Sequence, residues 1–244
     1  IKIVIILNYG IFKLGISPLN NVMTKGGVEF VAVFLGIILS LWVDDYTDIL
    51  NDRKKEKEAL GSIVSALRSD IENIDWTIKR AKRAQFRLKS LLTEYDSLSL
   101  DTLEYYVDMA NGYVTFSLQE TPYETLKNTG QLYKISDQDL LRKIIVLYNT
   151  YYNNVKTYLE EDKRNIFLIE DHFIDKYEIA GSKYWWITLK DREKGLKELK
   201  NDTKYFNYLV VSYNIKTYMI MAFENLNKAA ESTLKDIETT LEES

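Results

Sequence analysis

Cysteine is missing from this 244-residue sequence, and histidine, proline and glycine are scarce at 1, 2 and 10 residues. Without cysteine, disulfides and thiolate metal sites cannot form. With a single histidine, only one residue can supply the imidazole base that usually activates a nucleophile. We find no glycine-rich phosphate loop, HExxH or GxSxG motif. The sequence therefore predicts no catalytic site, no bound metal and no cofactor.

The scarcity of proline and glycine also bears on the fold class. Both residues interrupt helices, so 12 of them in 244 residues favour long helices over a turn-rich β architecture. The net charge of −4 argues against nucleic acid as a partner, because phosphate neutralisation needs a concentrated basic face. We therefore predict an all-α protein that does not bind nucleic acid.

One long apolar run lies near the N-terminus. Residues 27–43 read GVEFVAVFLGIILSLWV, with Glu29 as the only charge. At about 1.5 Å per residue the run spans roughly 25 Å, and residues on its N-terminal side lengthen it toward the usual 30 Å core of a bilayer. Trp42 has the position of an interfacial aromatic anchor. We predict a transmembrane helix over residues 22–45, the alternative being a buried core helix.

Small residues recur along this run at four-residue spacing, at Ala32, Gly36 and Ser40. Such a stripe lets another helix approach closely in lipid, where packing drives association. Glu29 lies near the same face, and a carboxylate at this depth needs protein, water or headgroups around it. We expect it to be an interfacial carboxylate hydrogen-bonded to a neighbour. An ion or proton pathway in an oligomer is the alternative.

The segment before the run, residues 1–21, is also apolar over its first 16 residues. It fits an interfacial helix or a first membrane span, with a signal peptide as a third option. Lysines precede the main span and aspartates follow it directly, which suggests that the remaining domain lies outside the cytoplasm. We therefore expect a bacterial inner-membrane protein with a periplasmic helical domain. The residues that carry this orientation are Lys2, Lys13, Lys25, Asp44, Asp45 and Asp48.

Apolar residues at alternating three- and four-residue spacing follow, over residues 64–95, 141–173 and 209–241. A 3.5-residue period over several heptads predicts coiled-coil-like packing. We therefore expect the membrane helix to continue into an elongated antiparallel helical bundle over residues 46–244. Four polar residues interrupt these seams, namely Gln85, Asp162, Lys216 and Asn227. Each is expected at an edge of the bundle. Alternatively, Asp162 and Lys216 form a buried pair that fixes the register of the helices.

Shorter segments between the seams carry helix-boundary signals. Thr121 and Pro122 are typical of a helix start and Gly130 of a helix end. The segment of Asn201, Asp202 and Thr203 is placed to cap the last long helix. The lone His172 is expected at the surface or at a cap, and pairing with the nearby Asp171 or Asp175 is the alternative.

Several segments together resemble an uncharacterised family of bacterial proteins. They are the Glu29-led membrane helix with Trp42, the charged run RKKEKE at 53–58, TPYETLKNTGQL at 121–132 and DTKYFNYL at 202–209. Members of that family carry an N-terminal membrane helix and an extramembrane helical domain, often with a Tyr-Glu-x-Leu-Lys-x-(Ser/Thr)-Gly turn. The family has no assigned activity, so the resemblance implies an architecture and no reaction.

These features favour a non-enzymatic accessory or scaffold subunit of a membrane complex, with lipid and other subunits or further copies of the chain as partners. A membrane-anchored sensory or ligand-binding module is the alternative, and an oligomeric channel lined near Glu29 is a second. Trp185 and Trp186 lie in a linker, so they are candidates for partner contact rather than for core packing.

Overall fold

A computed structural model describes residues 4–7, 10–13, 22–180 and 188–243. Helices dominate this part of the chain, so the all-α fold class is confirmed. Two short 3-10 helices lie at Tyr95–Ser97 and Gln131–Lys134, and a π-helical segment lies at Leu147–Tyr152. The strands and α-helices are β1 (Val4–Leu7), β2 (Gly10–Lys13), α1 (Val22–Thr93), α2 (Leu100–Ala110), α3 (Thr121–Asn128), α4 (Gln138–Val146), α5 (Asn153–Lys176), β3 (Ile179–Ala180), β4 (Thr188–Leu189), α6 (Arg192–Lys200) and α7 (Thr203–Glu243).

The chain divides into two compact units, residues 1–54 and 55–244. In the first unit, β1 and β2 pair antiparallel, with Val4 opposite Lys13 and Leu7 opposite Gly10. The helix predicted for this segment is therefore wrong over the described residues. Isoleucine and valine dominate it, and their β-branched side chains favour strands over helices.

Helix α1 begins at Val22 and runs without interruption to Thr93. The predicted continuity between the apolar run and the first long helix is therefore seen in the structure. By length and composition, α1 is the one helix among the described residues that qualifies to cross a membrane. A signal sequence or a soluble core helix would satisfy the same criterion, but the apolar window is not buried at all within the chain.

Side-chain contacts in the second unit give the directions of its long helices. Arg68 and Lys82 of α1 pair with Glu238 and Glu224 of α7 at 2.6 and 2.7 Å. Because the partner's number falls as the α1 number rises, α1 and α7 are antiparallel. Helices α4 and α5 are antiparallel to α7 for the same reason, through the pairs Lys143–Asp236, Asp162–Lys216 and His172–Asp202.

Three helices cannot all be antiparallel to one another, and in this bundle the parallel pair is formed by the first two long helices of the sequence. Ser136, just before α4, donates its backbone N–H to Glu56 of α1 at 2.7 Å, and Tyr152 donates to Asp70 at 2.5 Å. Both numbers rise together, so α1 and α4–α5 are parallel. A parallel pair needs a long return connection, which residues 94–137 with α2 and α3 provide.

Two apolar clusters form the core of the second unit. The first packs α1 from Ala59 to Ala81 against α3, α4 and the C-terminal part of α7. The second packs Leu88 and Leu91 of α1 against α2, α6, the C-terminal part of α5 and the start of α7. Polar side chains lie between the clusters on all three long helices, and this polar layer comprises Gln85, Asp162, Asn165, Ser212, Lys216 and Thr217.

Candidate functional site

The apolar run of α1 keeps its side chains outside any core of the first unit. Residues 29–54 are exposed, with Phe30 at 71% and Trp42 at 66% of full accessibility. Trp42 lies near Tyr46, their rings stacked at 6.2 Å between centroids. An uncovered apolar surface of this kind marks contact with lipid or with another protein.

The predicted packing stripe is uncovered as well. Ala32, Gly36 and Ser40 are exposed, and so is Glu29. A Cβ atom added at Gly36 would meet nothing within 4 Å, so contacts within the described chain do not require glycine there. The space beside Gly36 is therefore open among the described residues.

The structure brings Asp162 and Lys216 together in the polar layer. Lys216 donates from Nζ to Asp162 Oδ2, and the two side chains are 2% and 0% exposed. Val114 donates its backbone N–H to the same oxygen at 2.8 Å. Burial lowers the pKa of Lys216, against the attraction of Asp162, and Arg80 adds to the lowering. The pair is a charge-assisted contact away from solvent, where removal of either partner leaves an uncompensated group.

Neutral hydrogen bonds complete the polar layer. Asn165 of α5 donates from Nδ2 to Ser212 Oγ of α7 at 2.6 Å. Gln85 of α1 donates from Nε2 to Thr217 Oγ1 of α7 at 2.7 Å. Three of the four polar interruptions of the seams thus meet in one layer. The fourth, Asn227, lies in the part of α7 that joins the first cluster, where it donates to Glu231 at 3.1 Å.

An arginine-lined groove lies beside this layer, with a volume of about 520 Å³. Arg80, Arg83 and Arg87 of α1 line one side, and the end of α2 with residues 111–115 lines the other. Val114 both lines the groove and donates to Asp162, so the groove and the buried pair share a wall. Asn111, another wall residue, is buried and its Oδ1 atom has no hydrogen-bond partner among the described residues.

His172 does not lie at the surface and does not pair with Asp171 or Asp175. It is buried, and its Nε2 atom lies 2.6 Å from Asp202 Oδ2, which also accepts from Tyr177 at 2.6 Å. Asp202 Oδ1 meanwhile accepts from the backbone of Lys204 and Tyr205, so Asp202 caps α7. Burial raises the pKa of Asp202, but its hydrogen bonds outweigh burial and hold the pKa well below the usual range.

A second buried carboxylate, Asp70, shows the opposite balance. It accepts from Tyr152 at 2.5 Å and from the backbone of Gln119. Burial is the larger effect, so the pKa of Asp70 is raised. Tyr148 and Tyr152 of the π-helical segment pack against each other in a tilted arrangement, with 4.5 Å between their ring centroids. Single π turns inside helices often mark functional sites.

Sequence reasoning missed the arginine groove. The signal was present, since positions 80, 83 and 87 share one face of a helix. The opposite wall could not be found in this way, because residues 111–115 belong to no periodic element and reach α5 across 48 positions of sequence. Trp185 and Trp186 lie outside the described residues.

The described residues hold no group of three or more His, Asp or Glu side chains that could bind a metal ion. Comparisons of the chain with protein-family models, with curated proteins and with solved structures found no match. The likeness to an uncharacterised bacterial family therefore stays a resemblance.

Proposed function

We propose that this protein is a membrane-anchored, non-enzymatic accessory or scaffold subunit of a membrane protein complex. The observation that carries the proposal is the apolar run of α1, whose side chains are exposed on every face. A helix that is apolar all round needs lipid or protein around it. The abrupt change to the charged sequence after Val43 fits a helix that leaves the bilayer there.

The stripe of Ala32, Gly36 and Ser40 supports a partner within the membrane. Helices in lipid associate through close packing, and small residues permit the closest approach. Nothing in the described chain fills the space at Gly36. The partner is a helix of another subunit or of a second copy, and Glu29 near the same face gains a hydrogen-bonding neighbour from it.

The helical bundle supplies the scaffold. Its heptad-spaced seams support coiled-coil-like packing, and the buried pair of Asp162 and Lys216 supports a fixed register, as buried polar residues do in coiled coils. Lysines before the apolar run and aspartates directly after it support a periplasmic bundle anchored in a bacterial inner membrane. The family resemblance points to the same architecture.

The test is the size and composition of the complex purified in a mild detergent, measured by native mass spectrometry. We expect the chain to elute with a second subunit or a further copy, and Gly36→Leu to release it. Ile38→Leu, which keeps volume and lies on another face, is the matched control and should leave the complex intact. Elution of the unaltered chain as a lone monomer would refute the proposal.

A membrane-anchored ligand-binding module is a second candidate, because the arginine groove offers a place for a small molecule. The two functions are separable, since the groove lies in residues 80–170 and the packing stripe in residues 32–40. Loss of the partner and loss of the ligand would be observed in different variants.

A further inference from the structure

The arginine side of the groove carries positive charges that form no ion pairs among the described residues. Among the described residues, Arg80, Arg83 and Arg87 form no ion pair with a carboxylate. Arg80 lies over the ring of Trp76 at 4.5 Å, and Arg87 donates to the Tyr105 hydroxyl at 3.3 Å. On a helix, residues three and four apart are about 5–6 Å apart at Cβ, so neighbouring guanidinium groups can reach one anion.

The opposite side of the groove carries acceptors. Asn111 is only 5% exposed, and its buried Oδ1 atom has no partner among the described residues. Leaving a buried acceptor unpaired is unfavourable, so a group that donates a hydrogen bond is expected to meet it. Asp108 and Glu170 also line the groove and offer carboxyl oxygens. Partial burial raises the pKa of Asp108 to about 6, and the neighbouring Glu104 adds to the rise.

The size of the groove decides between a bare ion and an organic molecule. A volume of about 520 Å³ falls within the roughly 300–1,000 Å³ of small-molecule sites, and it exceeds what one inorganic anion would fill. Ala84, Met109 and Val114 supply apolar surface in the same groove. The ligand therefore has an anionic end, a body and hydrogen-bond donors.

We propose that the groove binds a phosphorylated, hydroxyl-bearing small molecule of the sugar-phosphate class. The guanidinium groups of Arg80, Arg83 and Arg87 hold the phosphate, since planar guanidinium donors match phosphate oxygens in pairs. The sugar hydroxyls donate to Asn111 Oδ1 and to the carboxyls of Asp108 and Glu170. Phosphate at the arginines and hydroxyls at the acceptors satisfy both sides at once.

The test is isothermal titration calorimetry of the full chain in detergent micelles at constant salt, with glucose 6-phosphate as the probe. We expect saturable 1:1 binding, weaker binding of inorganic phosphate and none of glucose. Citrate, which presents carboxylates instead of phosphate, should bind more weakly than the probe. No binding of the probe would overturn the proposal, and so would glucose binding as tightly as the probe.

Two variants locate the site. Arg83→Gln and Arg87→Gln should each weaken probe binding about tenfold or more, because a charge-assisted hydrogen bond is lost. Arg83 is exposed and carries no ion pair, so its replacement leaves the fold intact. The matched control is Arg164→Gln, an exposed arginine of α5 outside the groove that pairs with Glu161. Unchanged affinity in Arg83→Gln, or equal loss in Arg164→Gln, would place the anion elsewhere and overturn the proposal.

The hydroxyl side has its own variant. Asn111→Ala should reduce the preference for glucose 6-phosphate over inorganic phosphate, while inorganic phosphate binds as before. If inorganic phosphate binds the unaltered chain as tightly as the sugar phosphate does, the groove recognises only the anion and the sugar-phosphate assignment is overturned.

Discussion

Helix α1 has two parts whose sequences differ in hydrophobic pattern. Over residues 30–43 it carries no charge on any side, and every one of these residues is exposed. Over residues 59–91 it buries one face, from Ala59 to Leu91, and keeps charged residues on the other. A helix beside a core needs an apolar stripe, whereas a helix in lipid needs apolar residues all round. Hydrophobic period, more than hydrophobic content, therefore distinguishes the two parts of the helix.

The two regions also treat charge differently. In the second unit, carboxylates enter the interior with partners, Lys216 in the case of Asp162 and hydrogen-bond donors in the case of Asp70. In the apolar run between Phe30 and Val43 there is no charged residue to pair. Substitutions that add or remove a single charge therefore test most directly whether the apolar run and the second unit differ.

The largest effect is expected from splitting the buried pair. Asp162→Ala or Lys216→Ala should each lower the free energy of unfolding by about 3–5 kcal/mol, because the other group stays buried without a partner. The double replacement Asp162→Leu with Lys216→Met should be much less harmful, since no charge remains to be buried. Denaturant titration of the full chain in micelles, followed by circular dichroism, measures both.

An exposed ion pair between α1 and α7 provides the control. Arg68→Ala removes the partner of Glu238 and should change the free energy of unfolding by less than about 1 kcal/mol. If the single replacements at Asp162 and Lys216 are equally mild, the pair is not isolated from water as the structure has it.

The next effect comes from placing a charge in the apolar run. Ile38→Arg should disfavour membrane insertion by about 2.5–3.5 kcal/mol, the cost of arginine at the centre of a membrane helix. Phe86→Arg makes a comparable change on α1 in the second unit, at a side chain that is 61% exposed, and should leave membrane association unchanged. Carbonate extraction of membranes followed by immunoblotting compares the two variants. Equal extraction of both would erase the distinction between the two parts of the helix.

A smaller effect concerns pH and the second unit alone. The pKa of Asp202 is depressed in the folded state, so its contribution to stability is present above the unfolded value of about 3.9 and is lost as pH falls toward the folded value. Asp202→Asn should therefore destabilise by about 2 kcal/mol at pH 7, and the difference from the unaltered chain should shrink steadily as pH falls below about 4. Thermal unfolding across this range provides the measurement, and an effect that is independent of pH would contradict the role of the ionised carboxylate.

Asp70 supplies the opposite sign in the same experiment. Its pKa is raised in the folded state, so the folded protein binds the proton more readily and the penalty of its burial is relieved as pH falls. The free energy of unfolding of Asp70→Asn, relative to that of the unaltered chain, should therefore be most favourable at neutral pH. This relative advantage should disappear in acid. A shared pH profile for Asp70→Asn and Asp202→Asn would show that the two carboxylates do not differ in environment.

The parts of the fold that the sequence predicted depend on local rules. The long helices follow from period, and the cap of α7 within residues 201–203 and the helix end at Gly130 follow from capping chemistry. Gly130 has φ 73°, the left-handed conformation that a glycine after a helix end adopts. The cap of α3 is one residue earlier than Thr121, at Glu120, which is a typical error for a helix boundary.

The parts that it did not predict depend on contacts between distant segments. Period alone gives a helix's buried face but not its direction, so the parallel arrangement of α1 with α4–α5 was missed. The π-helical segment at Leu147–Tyr152 interrupts the second seam, although its sequence continues the spacing. His172 is buried because Asp202 and Tyr177 hold it from another part of the chain, which no local pattern reveals.

The most direct test of the central claim uses the chain's lack of native cysteine, because single cysteines can then be labelled without background. Leu35→Cys and Ser65→Cys place thiols on α1, in the apolar run and in the second unit. With a membrane-impermeant maleimide applied to native membranes opened to both sides, we predict fast labelling at position 65. Position 35 should be protected until detergent and denaturant expose it, because thiolate chemistry requires water. Equal labelling rates at the two positions in intact membranes would contradict a membrane location for residues 29–43.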